Sequence, residues 1–219
     1  MKIFERILLV LFIFIIISIT SVCIWQWDNI NSLITAVRLS DDEIAYRLDT
    51  VTSELDKEMT ETGLIRPFTA EEIEKMKRGE LSENEAVETL ISEKNNNSSS
   101  QKAKREAVIN KYVAKLYVLE AQYDGEINNI VKNMESEFYA YSPYERTAIL
   151  RDSIIAKNIN NLTVMQAECD SKVNSLLNDM ESELKQIDSD TAIVKTLKQT
   201  YEDKKNLKKA AYIKDYNDN

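Results

Sequence analysis

The sequence predicts an all-α protein: an N-terminal transmembrane helix, an acidic neck of short helices, and an elongated, coiled-coil-like antiparallel three-helix bundle built on a duplicated helix. Three observations lead there. The 219 residues include three Gly and two Pro, the sparing usage expected of long helices, and no stretch alternates apolar and polar residues between turn signals, as a sheet would. Ile7 to Trp25 is a run of 19 residues without charge, Pro or Gly. Two later segments, Ile109 to Phe138 and Ile155 to Leu184, match when shifted by 46 positions, with 11 of 30 pairs identical. The shared residues include Asp124/Asp170 and the run Met134-Glu135-Ser136-Glu137 over Met180-Glu181-Ser182-Glu183. A shift of that length is one long helix plus a turn, so the pair is expected to form a hairpin.

Taken in order, the tail 1–6 carries Lys2 and Arg6 against Glu5. The anchor 7–27 is long enough for the ~30 Å hydrocarbon core, so membrane lipid is the expected partner of Ile7–Trp25. Trp25 and Trp27 are placed at the membrane interface, and the basic flank puts the N-terminus in the cytoplasm and the bulk of the chain extracytoplasmic. A cleaved signal peptide competes, with Ser21-Val22-Cys23 as its cleavage site, but an uncleaved signal-anchor is preferred because no Ala-x-Ala occurs.

The neck, 28–94, begins with Ile30, Leu33, Ile34 and Val37 at helical spacing, read as a stalk. Ser40-Asp41-Asp42-Glu43 is a capping box: the Ser oxygen accepts from the N3 amide while the Glu reaches back to the cap. A stripe of Ile44, Leu48, Val51, Leu55 and Met59 follows, with a stop at Gly63. Thr69 to Glu72 and Ser82 to Glu85 cap two further short helices separated by Gly79. This outlines a helix-turn-helix, yet residues 41 to 94 hold 16 acids and seven bases, a surface that repels phosphate; nucleic acid is excluded as a partner.

Residues 95–101, Asn/Ser-rich, are expected to be a flexible linker. The bundle occupies 102–216, followed by a tail, 217–219. Its first helix carries Tyr112, Leu116, Leu119, Tyr123 and Ile127 on one stripe and ends where Ser142-Pro143-Tyr144-Glu145 caps the second, with Pro at N1. The second carries Ile155, Ile159, Leu162, Cys169 and Val173; the third, after 188–191, uses Ile193, Leu197, Tyr201 and Leu207.

Chemistry is sparse. The absence of His removes the commonest general base and metal ligand. The repeated Glu135/Glu137 and Glu181/Glu183 fall at opposite ends of an antiparallel hairpin, too far apart to share a proton or a metal. No phosphate loop, nucleophile elbow or Cys/His metal spacing occurs. The sequence therefore predicts no catalytic residues, cofactor, metal or small-molecule substrate, and no enzyme. Phe138, Tyr139, Tyr141 and Tyr144 crowd the first hairpin turn as a candidate protein-binding patch, since Tyr buries area at little entropic cost; the plainer expectation is that these rings plug the end of the core. The expected function is an extracytoplasmic scaffold or protein-interaction module with a protein partner. The alternative is an accessory or regulatory subunit of a membrane complex.

Overall fold

The computed structural model describes residues 27–61, 65–92 and 100–218, and these are all-helical. The tail 1–6, the candidate span Ile7–Trp25 with Trp25, the stop at Gly63 and most of the expected linker lie outside the described residues. Trp27 opens the first helix. Among the described residues no helix is long and apolar enough to cross a membrane.

The chain divides into two compact units, one made of the described residues up to Leu55 and from Gln199 onward, the other of Asp56–Lys198. This differs from the division drawn at 95–101. Helices read as neck pack on the hairpin, and the end of the third long helix joins the first two described helices.

In the first unit, α1 (Trp27–Arg38) and α2 (Asp41–Glu61) meet at a tight turn. The Ser40 box closes it: the Ser40 amide donates to Glu43 Oε2 at 2.8 Å, and the Glu43 amide to Ser40 Oγ at 3.2 Å. Ile44 is buried in one cluster with Ala36 of α1 and with Leu207 and Ala210 of α7 (Ala192–Asp218). Within this unit α7 runs antiparallel to α2 and parallel to α1. Lys214 pairs with Asp41 at 3.3 Å, and the Ser32 hydroxyl donates to Asn206 Oδ1 at 3.2 Å. The third long helix was expected to follow the other two throughout. Ile193 and Leu197 are buried in the hairpin unit, but beyond Lys198 its apolar positions are buried against the α2 stripe and the small inner face of α1.

The second unit is organised on α5 (Gln101–Tyr139) and α6 (Ala148–Gln186). Lys111 pairs with Glu183, the Lys172 ammonium lies 5.3 Å from the Tyr123 ring centre, and Lys157 pairs with Glu137 at 3.0 Å. As the α5 number rises the α6 number falls in step, so the helices are antiparallel. Lys111 and Lys157 are 46 positions apart, as are Glu137 and Glu183. The two ion pairs therefore exchange under a two-fold rotation.

The first half of α5 is covered twice, by α6 and by the short helices α3 (Ala70–Lys77) and α4 (Glu83–Ser92). Burial reflects this: Ile109, Val113, Val118 and Tyr123 are buried, whereas beyond Tyr123 no residue of α5 is fully buried. Asn110, itself buried, accepts the Ile65 amide at 3.1 Å, so the segment before α3 is pinned to α5. Phe68 meets the Tyr117 ring edge-on, and the Tyr117 hydroxyl donates to Asp56 at 3.1 Å; burial pushes this phenol up, and the nearby Asp56 charge adds to the shift. The Thr69 box forms as expected, and Arg66 grips Glu72 with two parallel bonds of 2.8 and 2.9 Å. The Arg66 bonds, helped by Thr69, hold the Glu72 carboxyl at about 2.

Helix ends follow local rules. Gly79, at φ +70°, and Asp188, at φ +52°, each sit in the left-handed region just past a helix. In both, the residue's own amide and the next reach back to carbonyls of the last turn: Gly79 to Met76 and Glu80 to Lys75, Asp188 to Lys185 and Ser189 to Leu184. Ser100 caps α5, its Oγ accepting from the Ala103 amide. The expected cap at Ser142 is a correction. Ser142 and Glu145 do bond one another, but 143–145 is a turn, and α6 starts at Ala148 with Thr147 as its N-cap.

Candidate functional site: the aromatic hairpin tip

The delayed start of α6 shapes the tip. α5 closes with the Ala140 amide donating to Ser136 O at 3.0 Å, which leaves later carbonyls without helical partners. The Arg146 guanidinium supplies them, donating to Tyr139 O at 2.8 Å and to Tyr141 O at 3.0 Å. The Thr147 amide folds back on the Glu145 carbonyl at 2.8 Å and Thr147 itself is extended, so Ser142-Pro143-Tyr144-Glu145 forms a turn separate from α6. The Glu145 carboxyl accepts from the Ser142 hydroxyl at 2.7 Å and from its amide at 3.1 Å, and these bonds hold it below the usual carboxylate range.

The rings are displayed rather than buried. Tyr144 is 96% exposed, Tyr139 63% and Tyr141 40%, so none of the three plugs the core. Only Phe138 is half-buried; it meets Tyr139 edge-on at 5.6 Å between ring centres. Tyr139 is in turn stacked by Arg146, 5.0 Å from the ring centre. Ile149, 82% exposed at the start of α6, extends the patch. The sequence argument missed Arg146 and Ile149. Ile149 carried a signal, standing off the α6 stripe, whereas Arg146 acts through a backbone geometry that no spacing reveals. The tip thus presents three tyrosines, an isoleucine and a fixed guanidinium, a composition suited to protein contacts.

The other candidates fall elsewhere. Trp25 lies outside the described residues and Trp27 begins α1. The repeated carboxylates are separated: Glu183 takes Lys111 and the Tyr112 hydroxyl, whereas Glu137 takes Lys157. The Lys111 bond draws the Glu183 carboxyl below its usual range. Cys169 is half-buried, and among the described residues no group of three or more Asp, Glu or Cys side chains is arranged to hold a metal ion. Comparison with protein-family models, with curated proteins and with solved structures finds no match.

Proposed function

We propose that this chain is a single-pass, membrane-anchored helical protein, its N-terminus cytoplasmic and the residues after Trp27 extracytoplasmic, that acts as a protein-interaction module or scaffold. We propose further that its long hairpin arose by duplication of one helix. The anchor rests on the uncharged run Ile7–Trp25 and its basic flank. The interaction role rests on the hairpin tip, where Tyr139, Tyr141, Tyr144 and Ile149 stand in water, an exposed apolar cluster of the kind that marks binding surfaces.

Changing Tyr139, Tyr141 and Tyr144 together to Ala tests the role. Because the rings are exposed, each truncation should cost no more than about 0.5 kcal/mol. A protein that copurifies stoichiometrically from membranes in mild detergent should be lost with the triple variant while the melting temperature holds. Retention of that partner, or a melting temperature that collapses, would remove the tip from the function. Protease added to spheroplasts should digest the region after residue 28; full protection reverses the topology.

A further inference from the structure

Helix α1 turns its small and polar side inward. Ser32 and Ala36 are buried, whereas Leu33 and Val37 of its apolar stripe stand in solvent. Side chains this short leave space beside α2 and α7, and a cavity of about 470 Å3 opens among the three helices of the first unit. That volume falls within the ~300–1,000 Å3 of small-molecule sites. The apolar part of its lining is Val51 of α2 and the buried Leu207 of α7. The rest is polar and has hydrogen-bonding capacity to spare. Asn206 accepts the Ser32 hydroxyl on Oδ1, which leaves its Nδ2 to donate. Thr50 gives its proton to the Tyr46 carbonyl at 2.8 Å and keeps its lone pairs. Asp203 takes the Gln199 amide on Oδ1 at 2.9 Å, which leaves Oδ2. Arg47 makes no hydrogen bond or ion pair among the described residues; Glu43, one turn back, is engaged by Ser40. Arg47 and Asp203 therefore line one cavity, from α2 and from α7, without neutralising each other.

We propose that this cavity binds a small zwitterion, a free α-amino acid with an apolar side chain. Its carboxylate is taken by the Arg47 guanidinium, whose planar fork matches a carboxylate, and by the Asn206 amide. Its ammonium is taken by Asp203 Oδ2 and the Thr50 hydroxyl oxygen, and its side chain covers Val51 and Leu207. The charges of the cavity favour this class over its neighbours. A simple anion would be repelled by Asp203 and a simple cation by Arg47. An uncharged ligand would draw both side chains out of water without a countercharge, which is costly. A zwitterion meets each with its opposite. No sequence motif announces such a site, because its walls come from segments before Leu55 and after Gln199 that only the fold brings together. The site is separate from the hairpin tip, so it stands or falls independently of what binds there.

Calorimetric titration of the full chain in mild detergent tests this with L-leucine and its capped forms. Leucinamide lacks the carboxylate, N-acetyl-leucine lacks the ammonium, and N-acetyl-leucinamide lacks both. L-Leucine should bind roughly tenfold more tightly than either singly capped form, the loss expected for one charged hydrogen-bonding group, and the doubly capped form should bind more weakly still. Arg47→Gln should erase the preference for leucine over leucinamide while keeping its preference over N-acetyl-leucine. Asp203→Asn should do the reverse. The capped series on the unaltered chain decides the question even where a variant fails to fold. Absence of leucine binding at millimolar concentration overturns the proposal. So does equal affinity for all four compounds, or a folded variant that keeps both preferences.

Discussion

Asn110→Ala isolates the contact that docks the segment before α3 onto the long hairpin. Asn110 is 5% exposed and Ile65 1%, and the Ile65 amide donates to Asn110 Oδ1 at 3.1 Å. Removing the acceptor leaves a buried N–H that neither water nor another group satisfies, a cost of about 1–3 kcal/mol. In a chain of 219 residues that lowers the melting temperature by about 2–12 °C. Residue-resolved hydrogen exchange separates this cause from a general loosening. The Ile65 amide should exchange roughly 5- to 150-fold faster, the same energy read as an opening equilibrium. Amides near Glu137 and Lys157, at the far end of the hairpin, should keep their rates. The matching position of the second segment is already alanine, Ala156, and exposed. Unchanged exchange at Ile65, together with an unchanged melting temperature, would refute the argument that this single bond pins the segment.

Three further outcomes follow from local geometry. The Glu72 carboxyl, held at about 2 by Arg66, lies below its unfolded value of about 4.3. Its contribution is therefore complete above about pH 5, falls with pH and is gone near pH 2. Glu72→Gln should cost roughly 1–3 kcal/mol at pH 7 and flatten that acid dependence, read from urea midpoints between pH 3 and 7. Gly125→Ala, inside α5, should stabilise by about 0.5–1 kcal/mol, because the added Cβ meets Lys77 Cγ at 3.7 Å and Cε at 3.9 Å, ordinary contacts; a loss of stability would mean that α3 cannot yield. Asp188→Gly should stabilise by about 1 kcal/mol by relieving its left-handed backbone, whereas Gly79→Ala, at φ +70° with open space around the new Cβ, should destabilise by a similar amount; thermal melts check both.

Most helix boundaries were legible because they are set within a few residues. The boxes at Ser40, Thr69 and Ser82 all form, and the α2 stripe buries Ile44 and Met59. Ser142 misled because its reciprocal bonds with Glu145 close a turn as readily as a helix. Thr147, without a box, was the quieter and correct signal. Partner choice was not legible. Ile109, Val113 and Val118 stand off the expected α5 stripe and are buried, since α5 has two covered faces and one helical period describes only one. The turn of the α1 stripe toward solvent was equally hidden. Spacing shows that residues share a side, while the small residues opposite decide which side packs. At the tip, the crowding of rings was visible, but their exposure depended on Arg146 bonding backbone carbonyls.

The exchange of Lys111–Glu183 with Glu137–Lys157 has a consequence for how this hairpin could diversify. A helix that pairs with its own copy is self-complementary: every substitution is made in both partners and alters two contacts at once. Joined in one chain by the proposed duplication, each contact becomes free to change alone. The two pairs differ in their surroundings. Glu183 gains the Tyr112 hydroxyl, with the Lys111 and Lys115 ammonium groups set over that ring. At the position matching Tyr112, Asn158 instead turns its amide to the Ile154 carbonyl. Asn110, Tyr117 and Gly125, which receive the Ile65 amide, Asp56 and Lys77, have no like residue at 156, 163 or 171. These three departures from symmetry lie on α5, the platform on which the rest of its unit packs, while α6 faces it.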